Sequence, residues 1–324
     1  MGKGSVDNTA NMTSVMPLFS IIIPHKDIPD LLMRCLRSIP VSEDIQVIVV
    51  DDNSAGADTY LDKYPELSRP YLEFVRTTKG GGAGYARNVG LEHAKGKWII
   101  FADADDFFVE NMSDIICSYV DSEADVIYFK IKSVLSEDIN IATIRDAHVN
   151  KNIDQYLLDG DEWPVRAQMF GPCAKMIKRN LMVKYNIRFD EVMYADDAFG
   201  VLQIGYYAVT IRVDDRVLYV VTTRPGSQMS DFCLKPNELK LRAEAAFRMD
   251  KFMLQNDFCR EHRLKFFLNM MLMHDRSLFK YYFFRLEEIY PSKLSAIWDI
   301  SKNHSLKVKI LLYIYSFLVW ARVL

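Results

Sequence analysis

The chain of 324 residues predicts an α/β fold, a mostly parallel sheet flanked by helices and followed by a helical C-terminal extension. Three observations predict it. Short apolar runs without polar alternation, such as Ile21-Ile22-Ile23 and Val47-Ile48-Val49-Val50, read as strands buried on both faces. Segments of helical period alternate with them, which argues for right-handed crossovers between parallel strands. Two of the runs end in clustered acids, at the edge where open α/β sheets keep their ligands.

The elements follow in order. Phe19 to Pro24 is a first buried strand, ended by proline. Pro29 to Ile39 reads as a helix, with apolar residues at Leu31, Leu32, Cys35, Leu36 and Ile39. Gln46 to Val50 is a second strand, closed by Asp51-Asp52-Asn53-Ser54. A short helix is expected from Asp58 to Tyr64 and a third strand from Tyr71 to Arg76. The glycine-rich loop Lys79 to Gly84 then leads into a helix from about Tyr85 to Ala94. The strand Trp98 to Ala102 follows and ends in Asp103-Ala104-Asp105-Asp106.

Half the residues are hydrophobic, and a formal net charge of -3 gives no electrostatic reason to expect nucleic acid. Five dispersed cysteines without a Cys-x-x-Cys pair argue for reduced thiols in a reducing compartment. Residues 1–16 are polar and small; they read as a disordered tail without the apolar core of a signal peptide.

Asp103 and Asp105 stand two apart, so on extended chain they point the same way. Like charges this close repel unless something positive lies between them. A hard cation with oxygen ligands, Mg²⁺ or Mn²⁺, would supply that charge and keep places for phosphate oxygens. The plain alternative is an acidic turn that caps the next helix. Asp52 could accept hydrogen bonds from a base, the glycines let backbone approach a phosphate, and Arg87 could add a fixed positive charge. A dinucleotide-binding domain is excluded. Its glycine fingerprint would follow the first strand, and here the glycines come only after the third.

Four motifs, Ser20-Ile21-Ile22-Ile23-Pro24, Val49-Val50-Asp51-Asp52-Asn53-Ser54, Gly84-Tyr85-Ala86-Arg87-Asn88-Val89-Gly90 and Phe101-Ala102-Asp103-Ala104-Asp105-Asp106, stand in the order and spacing of a known family. Over residues 18–230 the chain resembles glycosyltransferase family 2. These are inverting enzymes of the A-type glycosyltransferase fold, a Rossmann-like sheet, and many serve bacterial cell-surface polysaccharides. The resemblance implies base contacts at Pro24 and Asp52, a ribose contact at Asp103, and a metal held by Asp103 and Asp105 with Asp106 sharing that role. Two departures are His25-Lys26-Asp27 after the first strand and the triple glycine before Ala83.

In the second half, Ala124 to Val134 reads as a strand, while residues 136–160 carry no clear pattern. Gly171 to Lys178 reads as a turn into a short strand. The resemblance puts Lys175 near the acceptor, against a surface lysine as the plain alternative. Asp196-Asp197 opens an apolar helix, so capping is the plain explanation. The resemblance instead makes Asp197 the catalytic base, with Asp196 where the family has Glu. Val209 to Val221 reads as two short strands around Asp214-Asp215. Thr223 to Ser230 resembles a loop that folds over the donor, with Arg224 able to reach a phosphate; an ordinary turn at Pro225-Gly226 is the plain alternative.

From Pro236 onward the pattern is helical, over Leu239 to Leu254 and Arg263 to Leu272. The uncharged run Ile310 to Ala321 is shorter than the roughly 20 residues that span a bilayer. Lysines at one end, with Tyr and Trp inside, suit 306–324 as a helix lying in a membrane interface; a buried C-terminal helix is the alternative.

The domains expected are therefore a nucleotide-sugar-binding half over 17–135, an acceptor-binding half over 136–235 and a helical region over 236–324. The activity implied is sugar transfer from a nucleotide diphosphate sugar, with UDP as the nucleotide, to a saccharide or lipid-linked saccharide hydroxyl. Mn²⁺ or Mg²⁺ would assist, and the setting would be cytoplasmic, on the inner face of the membrane. A silent nucleotide-sugar-binding scaffold subunit is the rival of another class, and the intact acid set argues against it. A sugar nucleotidyltransferase would need a glycine-rich phosphate loop straight after the first strand, which His25-Lys26-Asp27 lacks.

Overall fold

A computed structural model of the chain describes residues 16–224, 236–290, 292 and 317. The first half runs β1 (Phe19–His25), α1 (Pro29–Arg37), β2 (Ile45–Asp51), the short α2 (Tyr60–Lys63), β3 (Leu72–Arg76), α3 (Gly82–His93) and β4 (Trp98–Phe101). Then come β5 (Phe107–Phe108), α4 (Met112–Cys117), β6 (Val126–Leu135), α5 (Ala147–Asp159), α6 (Trp163–Ala167), β7 (Lys175–Lys178), α7 (Arg179–Lys184), α8 (Ala198–Tyr207) and β8 (Ile211–Thr223). The helices α9 (Pro236–Gln255), α10 (Leu264–His274) and α11 (Arg276–Arg285) complete it.

The described strands form one sheet in the order β3-β2-β1-β4-β7-β6-β8-β5. The run β3-β2-β1-β4 is parallel throughout, as the uninterrupted apolar strands require. β7 lies antiparallel between β4 and β6, and β6 pairs parallel with β8. Alternate residues of each buried strand feed opposite layers. Ile21, Ile23, Val47, Val49 and Ile100 pack with Leu32, Leu36 and Ile116 on one face. Ile22, Ile48, Val50, Ile99 and Phe101 pack with Ala86, Val201 and Ile204 on the other. Both faces being dry, these strands carry no polar alternation.

Three expectations are corrected. α3 starts at Gly82, earlier than Tyr85, because the Asp52 carboxylate accepts from Gly81 N at 2.8 Å and Gly82 N at 2.9 Å and so satisfies the first turn from across the sheet. The region 136–160 holds α5, whose apolar signal was faint because only Asn152 and Ile153 of it are fully buried. β8 is one strand with two register shifts: Phe129 pairs with Asp214 and Lys130 with Val217, so a bulge loops out Asp215 and Arg216, and Ile131 pairs with Tyr219, which skips Leu218. Asp214 stabilises that bulge by accepting from Arg216 N at 2.8 Å and Tyr119 Oη at 2.9 Å.

The C-terminal helices have their own small core of Leu239, Phe247, Leu264, Leu268, Phe279, Tyr282 and Phe283. They dock on the sheet domain through Met249 and Met253, which meet Trp163, Ala167 and Leu202. Among the described residues no helix is long and apolar enough to cross a membrane. The tail 1–15 and all of 306–324 except Phe317 lie outside them. Cys35, Cys117, Cys173 and Cys259 are free thiols.

Asp250 joins α9 to α10, accepting from Arg263 N at 2.8 Å and Leu264 N at 3.0 Å. Asp250→Ala strands both amides, so equilibrium unfolding in urea should show a loss of about 1–3 kcal/mol. An unchanged midpoint would mean that water takes over both bonds.

Candidate active site

The carboxyl ends of β1 and β2 are sewn together by short polar side chains. His25 Nδ1 lies 2.9 Å from Asp51 Oδ2, both side chains buried. Burial alone would push the Asp51 carboxyl up; its bonds with His25 and Ser54 outweigh that and hold it below the usual carboxylate value. Asp27 takes a left-handed φ of 54°, donates from its N to Ser54 Oγ at 2.8 Å and accepts from Ala55 N at 2.8 Å. Lys26 Nζ donates to the Asp52 carbonyl at 2.9 Å. The departure at His25-Lys26-Asp27 is thus a clamp that fixes Pro24 and Asp52 along the cleft wall.

Asp52 and the glycine loop meet, in a relation the sequence reading did not anticipate. The loop amides of Gly81 and Gly82 point at the Asp52 carboxylate. Gly84 is required by close approach, since a Cβ there would lie 2.0 Å from the Asp190 carbonyl oxygen. That contact lets α3 lie against the segment leading to Asp196.

After β4 the chain turns sharply, and residues from β8 and α1 hold the turn. Tyr219 Oη accepts from Asp103 N at 2.7 Å, Thr222 Oγ1 donates to the Asp105 carbonyl at 2.8 Å, and Arg34 Nη2 donates to the same carbonyl. Each cleft-facing acid has its own arginine. Asp103 Oδ1 pairs with Arg87 Nη2 at 2.8 Å, and Asp105 Oδ2 with Arg224 Nε at 2.9 Å. The third acid, Asp106, turns inward: it is 4% exposed and accepts from Thr222 N at 2.6 Å. Burial, reinforced by Asp103 and Asp105, pushes its carboxyl well up.

Arg87 is not a free charge in the cleft. Its side chain is buried, and Nη1 pairs with Asp196 Oδ2 at 2.8 Å while Nη2 holds Asp103. Burial opposes its charge, but Asp103 and Asp196 outweigh that and hold the guanidinium above its ordinary value. The next residue fixes the same segment: Asn88 donates from Nδ2 to the Phe189 carbonyl and accepts from Phe189 N, both at 2.9 Å.

Capping does not account for the acid pair. Asp196 is committed to Arg87, and Asp197, at the N-cap position of α8, makes no side-chain capping bond. Asp197 keeps a partial opening to the cleft. Burial, with Asp196 and Asp103 nearby, pushes its carboxyl up to about 6 against the pull of Arg87. Lys175 is 1% exposed, which removes the surface-lysine alternative. Its Nζ donates to the Gly171 carbonyl, and burial pushes the ammonium down to about 8.

Pro24, Asp52, Arg87, Asp103, Asp105, Asp106, Lys175, Asp197 and Arg224 all line one cleft of about 1470 Å³. The structure brings these candidate site residues to one space, including three acids from separate parts of the chain. The loop beyond Arg224 lies outside the described residues. Among the described residues no three carboxylate, thiol or imidazole groups converge as a preformed metal cage. Asp103 and Asp105 each commit one oxygen to an arginine and are 39% and 21% exposed at the side chain. Their remaining oxygens suit a hard cation that takes most of its ligands from phosphate and water. Sequence reasoning missed Tyr219 and Thr222, which hold the acid turn, and the far wall of the cleft, with Arg145, His148, Phe170 and Arg263. The first two sit in an apolar strand with no polar signature. The others come from segments whose packing the periodicity did not reveal.

A doubly layered sheet with acids at its strand ends and an acid-led helix across the cleft defines the chain as an A-type glycosyltransferase fold. The family model for glycosyl transferase family 2 matches residues 20–185, and the chain belongs to that family. A poly(ribitol-phosphate) beta-glucosyltransferase of Bacillus spizizenii is 28% identical over 224 residues, 65% of this chain and 33% of that enzyme. The chain thus spans about a third of that relative. S. aureus TarS 1-349, solved with UDP-GlcNAc, superimposes with a TM-score of 0.55 at 22% identity, covering 80% of this chain and 74% of that one. A mannosyltransferase from Pyrobaculum calidifontis, solved with GDP-Man and Mn2+, gives 0.51 at 16% identity, covering 95% and 81%.

Arg87→Met leaves Asp103 and Asp196 facing each other without a cation. Thermal or urea unfolding should show a loss of about 3 kcal/mol, the low end for a broken buried pair because Asp103 keeps solvent contact. Adding Asp196→Asn should recover part of it. Equal stability of Arg87→Met and wild type would show that Arg87 does not hold the acids.

Proposed function

We propose that this chain moves a sugar from a UDP-sugar to a hydroxyl of a saccharide or lipid-linked saccharide, in a single displacement that inverts the anomeric centre. One observation carries the reading: Asp197, uncapped and partly open, lines the same cleft as the donor-side acids Asp52, Asp103 and Asp105. A UDP-sugar is supported by the TarS structure solved with UDP-GlcNAc. A polymeric hydroxyl acceptor is supported by the name of the Bacillus relative, a poly(ribitol-phosphate) beta-glucosyltransferase, whose beta product also suits inversion of an α-linked donor.

The residues divide the work. Pro24 forms the wall against the base, and Asp52 accepts an N–H from it, each of its oxygens having lone-pair capacity beyond one glycine amide. Asp103 accepts from the ribose hydroxyls. A divalent ion, Mn²⁺ or Mg²⁺, held by Asp103 and Asp105 with diphosphate oxygens, would neutralise charge on the leaving group. Asp106 supports that turn from behind through Thr222. Arg224, next to Asp105, is placed to meet a phosphate once the donor competes for it. Asp197 removes the proton from the acceptor hydroxyl as it attacks from the face opposite the diphosphate. A carboxyl near 6 is ionised at neutral pH yet basic enough to take that proton. The reading carries with it a site of action at the cytoplasmic face of a membrane, where a lipid-linked acceptor would be met.

Asp197→Asn should keep UDP affinity and lower transfer by about 10²-fold or more. Near-normal turnover would remove Asp197 as the base. In the wild type, kcat/KM should fall as pH drops through about 6, because protonation of Asp197 abolishes the base. A flat profile between pH 5 and 7, or one that rises toward acid, would contradict the assignment.

A further inference from the structure

The two walls of the cleft bond their basic groups differently. On the donor side each arginine meets carboxylates: Arg87 with Asp103 and Asp196, Arg224 with Asp105. On the far wall Arg242 likewise meets a carboxylate, Glu238, at 2.9 Å, but four other basic groups bond backbone carbonyls. Lys175 Nζ donates to Gly171 O, Arg263 Nη2 to Ala167 O, Arg145 Nη1 to Thr222 O, and His148 Nε2 to Gln168 O at 2.9 Å. Three of those four carbonyls belong to one short stretch, 167–171. A carbonyl satisfies a donor without cancelling its charge. None of these four side chains forms an ion pair with a carboxylate among the described residues, whereas both donor-side arginines do.

The stretch also carries an aromatic face. Phe170 is 42% exposed, the Arg263 guanidinium lies 4.6 Å from its ring centroid, and the His148 ring stacks parallel to it at 6.1 Å. Two acids act on Arg263. Glu261 is turned to Gln168 Nε2 at 2.9 Å, and Asp250 is buried behind, its carboxyl pushed up to about 7. Asp106 lies within electrostatic reach of Arg145, and Asp197 of Lys175, but neither acid pairs with them, so the wall keeps basic groups with no directly bonded carboxylate around an apolar platform.

We infer that this wall binds an acceptor carrying phosphate ester groups beside the reacting hydroxyl, with Arg263 and Arg145 meeting phosphate and Phe170 packing on the carbon skeleton. The inference rests on the proposed use of the cleft for sugar transfer and names the chemical class of its acceptor. Arginine suits the role because its planar fork matches phosphate oxygens. A phosphodiester of a polyol chain and the diphosphate of a lipid-linked saccharide share this chemistry.

Binding by calorimetry to the full chain, with UDP and Mn²⁺ present, tests it with three probes: a ribitol-phosphate hexamer, a water-soluble short-chain prenyl diphosphate disaccharide, and a neutral oligosaccharide of matched length. At least one phosphate probe should bind roughly tenfold tighter than the neutral one, the size of one charge-assisted bond. Its affinity should fall with added salt, and the probe preferred identifies the source of the phosphate. Arg263→Gln should weaken it about tenfold, and Arg263→Lys less. Arg145→Gln, at an exposed position that does not threaten folding, should weaken it as well. UDP affinity should be the same in all of these variants. Equal binding of the neutral probe, or Arg145→Gln and Arg263→Gln both binding phosphate probes like wild type, overturns the inference. Failure of the wild type to bind UDP overturns the donor reading and this inference with it, and is told apart by that readout alone.

Discussion

Arg87 makes two ion pairs of 2.8 Å from one buried guanidinium, and the cleft depends on both. One partner, Asp103, sits in the turn after β4; the other, Asp196, sits just before α8. A charge at the junction of two acid-bearing segments does what neither segment can do for itself, since carboxylates brought this close would otherwise repel. It also leaves the neighbouring Asp197 uncommitted, because Asp196 takes the pairing. Asn88, one residue along α3, pins the same segment through Phe189. Gly84, one turn earlier, admits it by lacking a Cβ. Three positions of one helix therefore set where the acid pair lies relative to the sheet edge.

The charges in the cleft are sorted. Asp103 and Asp105 are matched by arginines, Asp106 is turned in and bonded to Thr222 N, and four of the basic groups opposite are satisfied by carbonyls. On the proposed function, a donor with an anionic diphosphate would exchange partners with Arg224 and Asp105, which costs little for a pair 30% and 21% exposed at the side chain. The same exchange at Arg87 would be costly. Arg87 is thus a framework group and Arg224 an adjustable one, although both appear in the sequence simply as arginines near acids.

Much of this was legible because strand burial and strand ends leave plain marks. Uninterrupted apolar runs gave the parallel strands, and acids directly after them gave the edge at which Asp52, Asp103 and Asp105 lie. What was hidden depends on contacts distant in sequence. Nothing local shows that Asp52 spends its oxygens on Gly81 and Gly82, a pairing that spans two elements and starts α3 early. The bulge in β8 reads as a break because Asp214 and Asp215 interrupt an apolar run, yet Asp214 serves the strand by bonding Arg216 and Tyr119. Lys175 looks like a surface residue until β7 is seen to lie inside the sheet, between β4 and β6. α5 was missed because its helical stripe is too narrow to register.

The proposed displacement requires a single base on the side of the sugar opposite the diphosphate. The most direct measurement of that is the anomeric configuration of the first product formed from an α-linked UDP-sugar, read by proton NMR before any later equilibration. A β-linked product is what a displacement driven by Asp197 across this cleft must give. An α-linked product would contradict it, because retention needs either a second nucleophile or attack from the leaving-group face.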